Sequence, residues 1–330
     1  MADVTEAGVP SAASGPADPG SSAPSPHRIG RRGWRRIVRR AARHVLSDHL
    51  QVLSAGISFF ALLSIAPLLV TALSVYGALN SPEQALAQLS DAADVLPDQL
   101  EPVVAEQLRT ITNASTHVLT LRGLTGLVIA LWTATTAATF LIDALTLAYR
   151  ETETRGLLRR SGLAVLVVLG GAVLLGAVIA VSGIVSRLAR SAPEPVRVAV
   201  DVLTWPALAA VMAAALAVLY RFAPDRKDAR WRWISGGAVL ATLLWLAASI
   251  ALFAYVQTLG DYETTYGSLA GVAISMFWLW ITVFLVIVGA AVNAEAERET
   301  VRDSTVGPEQ PVGERGAAVA DSVPPYPDDR

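Results

Sequence analysis

Six stretches of the chain are apolar with almost no polar interruption: 52–79, 124–147, 161–186, 198–220, 234–257 and 267–293. Each is longer than the roughly 20 residues a helix needs to cross a bilayer. Of the 26 basic and 28 acidic side chains, only Asp143 and Asp201 fall inside them. A large soluble core can hide one such helix, but not six in one chain. Hydrocarbon offers the backbone no hydrogen-bond partners, so each run must satisfy its own amides, which predicts helices. The expected fold class is all-α, a polytopic membrane protein with six transmembrane helices.

The flanks carry a different pattern. Trp34, Ile37, Val38, Ala41, Ala42, Val45 and Leu46 recur at helical spacing, and Arg31, Arg32, Arg35, Arg36, Arg39, Arg40 and Arg43 fill the other face. This predicts a basic amphipathic juxtamembrane helix over 31–50. Two readings stand side by side, a helix lying on anionic lipids of the inner leaflet and an ordinary topology-setting basic flank. RNA binding is set aside in this membrane context. Residues 1–30 and 296–330, rich in Ala, Ser, Pro and Gly, read as disordered tails around a membrane domain spanning 51–295. No cleavable signal peptide is visible before the first apolar run. Between the first two spans, Ser81-Pro82-Glu83 reads as a helix start. Leu86, Leu89, Ala93 and Leu96 follow at helical spacing. They predict two short helices, broken at Pro97 and Pro102, in the one sizeable extracytoplasmic loop.

Composition agrees with the pattern. Charged residues are 16% of the 330 and hydrophobic residues 53%, whereas a soluble domain carries about 25% charged residues. The net charge of −2 does not favour a nucleic-acid binder. The absence of cysteine removes disulfides, thiol catalysis and zinc–thiolate sites. The charges matter more by position. The amino-terminal tail, the loops 148–160 and 221–233 and the carboxyl tail together hold 21 of the 26 basic residues. By the positive-inside rule both termini are expected in the cytoplasm. Arg outnumbers Lys 25 to 1, which suggests a GC-rich bacterial genome.

Within the spans, the second has the clearest pattern. Thr125, Trp132, Thr136, Thr139, Asp143 and Thr146 fall within an arc of about 80° on a helix. A polar stripe ending in a carboxylate is costly against lipid. It reads either as the lining of a substrate or ion path or as interhelical hydrogen bonding with a snorkelling acid. Asp201 sits near the outer end of the fourth span and reads as structural. Small residues recur every four positions, as Ala172, Gly176 and Ala180 in the third span and Gly267, Gly271 and Ser275 in the sixth, which predicts close helix packing. Pro67 and Pro206 each open a three-helix half, a pattern compatible with inverted repeats. Catalytic constellations are scarce. The four histidines, His27, His44, His49 and His117, lie outside the spans, and no metal-hydrolase, nucleophile-elbow or phosphate-loop motif occurs. No cofactor and no metal site are expected.

Leu53-Ser-Ala-Gly-Ile-Ser-Phe-Phe-Ala-Leu-Leu-Ser-Ile-Ala-Pro-Leu-Leu69, with Ser64 and Pro67 near its end, resembles the first span of the YihY/virulence factor BrkB family. Leu131-Trp132 and Ala144-Leu-Thr-Leu-Ala-Tyr149 resemble its second span. Thr265-Tyr266-Gly267-Ser268-Leu-Ala-Gly271, Phe277-Trp-Leu-Trp280 and Gly289-Ala-Ala-Val-Asn293-Ala-Glu295 resemble its last span and exit. The resemblance covers about 34 to 300 and marks Ser64, Pro67, Tyr266, Gly267, Ser268, Gly289 and Asn293 for testing. The chain departs from the family at Thr146, where an Asn is common, and at Ala291, where a Glu is frequent. The family's old label, ribonuclease BN, implies tRNA 3′ processing. The sequence offers no metal-ligand cluster or RNA-binding module for it, so that activity is rejected.

Two functions follow as expectations. One is a transporter or permease-like protein of the cytoplasmic membrane, for a small molecule or lipid. The other is a non-catalytic envelope scaffold or assembly factor, with a homo-oligomer as a possible state. A membrane enzyme has little beyond Asp143 to support it.

Overall fold

The structure is a computed structural model and describes residues 23–79, 116–190, 192–258 and 269–322. The expected loop helices broken at Pro97 and Pro102, and Tyr266, Gly267 and Ser268, lie outside the described residues. An arginine-rich helix α1 (Arg31–Ser47) precedes six long helices. These are α2 (Leu50–Leu79), α3 (Thr116–Ala148), α4 (Leu157–Arg190), α5 (Glu194–Phe222), α6 (Trp231–Thr258) and α7 (Leu269–Glu297). A single turn, α8 (Ala318–Asp321), closes the described chain. All six long helices are long and apolar enough to span a membrane. The fold is all-helical. Among the described residues no strand forms, and one isolated antiparallel bridge pairs Ala229 with Thr305.

The helices are apolar on nearly every side, as lipid-facing helices must be. Their neighbours run in the order α4, α3, α2, α7, α6, α5, with a weaker contact between α5 and α4 closing the circuit. Packing is tightest where side chains are smallest. A Cβ added to Gly126 of α3 would lie 2.8 Å from Thr71 Oγ1 and 3.0 Å from the Pro67 carbonyl oxygen of α2. One added to Gly289 of α7 would lie 2.7 Å from the Gly237 carbonyl oxygen of α6 and 2.5 Å from Tyr220 Oη of α5. Pro67 has no N–H to offer the preceding turn. Beside it, Ser64 Oγ donates to the Ala61 carbonyl at 2.6 Å and Thr71 Oγ1 to the Pro67 carbonyl at 2.8 Å.

The expected packing rows meet a different outcome. Ala172, Gly176 and Ala180 of α4 are exposed, and a Cβ on Gly170, Gly171, Gly176 or Gly183 would touch nothing. Gly271 of α7 likewise faces open space. Small residues permit close approach but do not force it, and here no described helix of the chain comes up to these rows.

The tails also depart from expectation. Residues 23–30 and 298–322 are packed segments, not disordered ones. Thr300 Oγ1 donates to the Ala23 carbonyl at 2.8 Å, and Ala23, Ile29, Asp303, Ser304, Thr305, Val319 and Ala320 are buried. The physical reason lies in polar groups that a compositional reading overlooks. The Asp321 carboxylate accepts the backbone N–H groups of Gly313, Arg315, Gly316 and Ala317. Gly313 and Gly316 supply the positive φ angles, 99° and 71°, that such a turn requires. The Arg315 guanidinium donates to the carbonyls of Gln310, Ala320 and Val301. Both packed tail segments therefore sit at one end of the bundle.

Candidate functional site

The end of the bundle that holds the tails is built around three glutamates at the close of α7. Glu295, Glu297 and Glu299 are buried, Glu295 completely. Glu295, in the last turn of α7, and Glu299, two residues past its end, both turn toward α1. Arg40 reaches Glu295 at 2.8 Å and Glu299 at 2.6 Å, and Arg36 reaches Glu299 at 2.6 Å. Arg150 adds a bond to Glu295 at 2.8 Å, and Arg298 one at 3.2 Å. Glu297 points elsewhere, to Arg226 at 2.7 Å and to Ser304 Oγ at 2.9 Å. The Arg226 guanidinium also lies 4.8 Å from the centre of the Tyr149 ring. Each acid thus has an arginine from another part of the chain, the arrangement a buried charge needs.

Local backbone geometry delivers these groups. Helix α3 ends in a Schellman turn, with Glu151 N donating to Thr146 O at 3.0 Å and Arg150 N to Leu147 O at 2.8 Å. Its left-handed position is filled by Arg150 at φ 58° where glycine is the usual residue. The strained position aims the side chain at Glu295. His49, at φ 54°, makes the turn that joins α1 to α2. The buried face of α1 is Gly33, Ile37, Ala41, His44 and Val45, and His44 Nε2 lies 3.2 Å from the Ala148 carbonyl oxygen.

A second joint ties the two arginine-rich loops. Thr154 donates through its backbone N–H and its hydroxyl to Asp225 at 2.7 and 2.5 Å. Arg155 donates to the Ala223 carbonyl and pairs with Glu153. Partial burial pushes the Asp225 carboxyl up, but the Thr154 hydrogen bonds and Arg155 outweigh it and hold Asp225 below its ordinary range. Asp303 is balanced the same way, with burial overcome by the N–H and hydroxyl of Thr305 and the N–H of Gln310. Asp321 is likewise held low, its burial outweighed by its backbone donors.

The stripe on the second span takes shape differently. The packed face of α3 is made by Gly126, Ala130, Thr133 and Ala137, roughly a third of a turn from the stripe at 100° per residue. Thr125 is exposed, and Thr136 and Thr139 are half-buried. The hydroxyls of Thr125, Thr136, Thr139 and Thr146 donate to the carbonyls of Leu121, Trp132, Thr135 and Ile142, all within their own helix. Asp143 pairs with Arg160 of α4. Thr146 is buried and also accepts the Asp225 N–H at 3.3 Å, so it belongs to the loop joint.

Of the motif residues, Gly289 and Asn293 fall together. Asn293 Oδ1 accepts the Gly237 N–H at 2.7 Å and Nδ2 donates to the Ile234 carbonyl at 2.8 Å, clamping α7 to α6 beside the Gly237–Gly289 contact. From this clamp the two helices diverge. Trp245 Nε1 donates to Thr282 Oγ1 at 3.0 Å and Trp278 Nε1 to Ser249 Oγ at 3.2 Å. Beyond them lies an apolar groove of about 790 Å³ lined by Ala248, Ala251, Leu252, Tyr255, Val256, Ala270, Ala273, Ile274, Phe277 and Ile281. A smaller hollow of about 450 Å³ adjoins it past Leu252, Val256 and Ile274. The buried glutamates and the groove were not singled out from sequence. Glu295, Glu297 and Glu299 at alternate positions, each acid close to an apolar span, were the available signal for the former.

The seven arginines of the amino-terminal helix divide. Arg36 and Arg40 point inward to the glutamates, while Arg31, Arg32, Arg35, Arg39 and Arg43 are exposed. Among the described residues, no group of three or more His, Asp or Glu side chains is placed to hold a metal ion.

Comparison with known proteins places these features. Residues 41–314 match the family model described as "Virulence factor BrkB". A ribonuclease-like protein, YfkH, of Bacillus subtilis is 27% identical over 73% of this chain and 88% of its own length. UPF0761 membrane proteins of Rhodospirillum centenum and Verminephrobacter eiseniae are 29% and 26% identical, over 83% and 79% of this chain. The chain spans only 60% and 62% of the length of those two relatives. No solved structure matches it significantly.

Proposed function

The chain belongs to the virulence factor BrkB family, and we propose that it acts there as a permease-like protein for a lipid or another largely apolar small molecule. Its proposed home is the cytoplasmic membrane, with both termini in the cytoplasm. The observation that carries the reading is the groove between α6 and α7. Its lining is apolar, it lies far from the glutamate cluster, and its small side chains, Ala248, Ala251, Ala270 and Ala273, leave room for an acyl chain. A polar solute would need a row of hydroxyls or charges turned toward water. The threonines of α3 donate instead to their own helix, and Asp143 is paired.

Reconstitution tests this. Proteoliposomes carrying a fluorescent phospholipid in both leaflets are treated with a membrane-impermeant reductant, and the fraction of lipid reached is followed. The wild type should expose lipid faster than empty liposomes, and Ala273→Trp, which fills the groove, should remove the difference while leaving thermal stability near that of the wild type. Lipid exchange unchanged by the protein, or unchanged by the tryptophan, sinks the reading.

One observation favours the scaffold as a second reading. Helix α4 is exposed along almost its whole length and its glycines meet no described neighbour, a surface suited to another membrane helix. No catalysis is proposed: the carboxylates of the glutamate cluster are taken up by arginines, which leaves them poorly placed to ligate a metal or move a proton for RNA hydrolysis.

A further inference from the structure

Helix α1 carries three faces, not two. At 100° per residue, Gly33, Ile37, Ala41 and Val45 form the face buried against the protein. Next around the helix comes a ridge of Val38, Ala42 and Leu46, which stays exposed, Val38 at 53% and Leu46 at 61%. Beside that ridge runs Arg31, Arg35, Arg39 and Arg43 at i, i+4 spacing, with Arg32 alongside, all exposed. None of these five has a hydrogen bond or ion pair with a described residue, whereas Arg36 and Arg40 of the same helix both have one. No acidic residue occurs anywhere within α1. Only Asp48 and His49 separate the helix from α2, whose apolar, membrane-spanning stretch begins at Leu50. The connection holds α1 at the level of the headgroups.

An exposed apolar ridge next to a row of cations, held at that depth, is what an interfacial helix needs. The aliphatic side chains enter the acyl boundary and the guanidiniums reach the phosphates. The geometry points to a binding face for anionic phospholipids made by Arg31, Arg35, Arg39 and Arg43 with Val38 and Leu46. Arg36 and Arg40 take no part in it. They fasten the helix to Glu295 and Glu299, so the lipid-binding face is presented at a fixed angle. This face is independent of the α6–α7 groove and stands whether or not a lipid is transported.

The test uses the full-length protein in detergent, titrated with phosphatidylglycerol or phosphatidylcholine, with bound lipid counted by native mass spectrometry. The wild type should prefer phosphatidylglycerol, and rising salt should erode the preference. Replacing Arg31, Arg35, Arg39 and Arg43 together by Gln should weaken phosphatidylglycerol binding by about fivefold per arginine. Replacing the same four by Lys should keep the preference, because the charge remains. Val38→Ser with Leu46→Ser should weaken both lipids alike. Equal wild-type binding of the two lipids, a preference the Gln variant retains, or displacement of phosphatidylglycerol by a single-stranded oligonucleotide would each overturn the assignment. Should the Gln variant fail to fold, the salt response of the wild type decides: a preference indifferent to salt overturns it.

Discussion

The two ends of the membrane bundle are stabilised by opposite means. At the glutamate end, buried carboxylates are paired with arginines from α1, the turn after α3 and the loop after α5, and the two tails pack beside them. At the far end an apolar groove opens between α6 and α7, the glycines of α4 meet no described neighbour, and the groove is lined by alanine, larger aliphatic and aromatic side chains. The first end is specified by the polypeptide. The second has surfaces that no described residue of the chain covers. A membrane protein needs hydrocarbon contact everywhere along its spans, but a groove of this kind at one end alone sets a closely packed base against an open rim. Gly237, Gly289 and Asn293 mark where one gives way to the other.

The largest effect should come from the base. Glu295→Ala would take the carboxylate from Arg150 and Arg298 and leave Arg40 with Glu299 alone. Breaking a buried pair on one side costs about 3–5 kcal/mol, so the variant should lose most of its folded yield and melt well below the wild type in detergent. Fluorescence-detected size exclusion after stepwise heating measures this. A melting curve matching the wild type would show that the cluster contributes little and that the two ends are less different than their burial implies.

Next come two glycines of one helix. Gly289→Leu drives a side chain into Tyr220, Ala241 and the Gly237 carbonyl, and overpacking of that sort costs about 1–3 kcal/mol. Gly271→Leu, eighteen residues earlier on the same helix, meets nothing and should stay within about 0.5 kcal/mol of the wild type. Thermal midpoints of the two variants side by side sharpen the contrast. Equal losses at both positions would mean that the far end is packed after all.

One end of this contrast is more legible in the sequence than the other. The six spans were legible because hydrophobicity over twenty or more residues is a one-dimensional signal. The amphipathic arginine helix was legible for the same reason, since its period lies within itself. That Arg36 and Arg40 turn inward while Arg35 and Arg39 do not was hidden, because it depends on glutamates more than 250 residues away. The carboxyl tail misled for a related reason. Its Ser, Pro and Gly suggest disorder, while its order rests on Asp303, Arg315 and Asp321 bonding to backbone groups within the segment. The polar stripe of α3 follows from residue spacing alone. Its hydroxyls, however, can be satisfied by the preceding turn, which spacing alone does not reveal.

A smaller effect separates the tails from the spans by pH. Asp225, Asp303 and Asp321 are all held below their ordinary range by donors in the folded state. A depressed carboxyl adds stability above its unfolded pKa of about 4 and loses it as pH falls through the lower folded value. The segment 298–322 should therefore stay protected at neutral pH and loosen below about pH 4, while the helix interiors stay protected. Hydrogen exchange at neutral and acid pH, corrected for the intrinsic rate, reads this directly. Loosening that begins above pH 6 would assign the acid response to other groups.

The smallest expected effect concerns the stripe itself. In Thr136→Val with Thr139→Val, each hydroxyl removed had donated to the carbonyl four residues back, Trp132 and Thr135. Those carbonyls keep the backbone bonds of the helix, and valine nearly matches threonine in shape. The change should therefore stay below about 0.5 kcal/mol per site, and lipid exposure in proteoliposomes should match the wild type. The comparison is informative because the two candidate routes occupy different helices, the stripe on α3 and the groove between α6 and α7. If the valines abolish activity while Ala273→Trp spares it, the hydroxyls serve a solute passing along α3 and the groove is only a place where lipid rests. If the tryptophan abolishes activity and the valines do not, the route is the apolar one. The threonines are then ordinary residents of a lipid-facing helix, each hydroxyl satisfied by the turn before it.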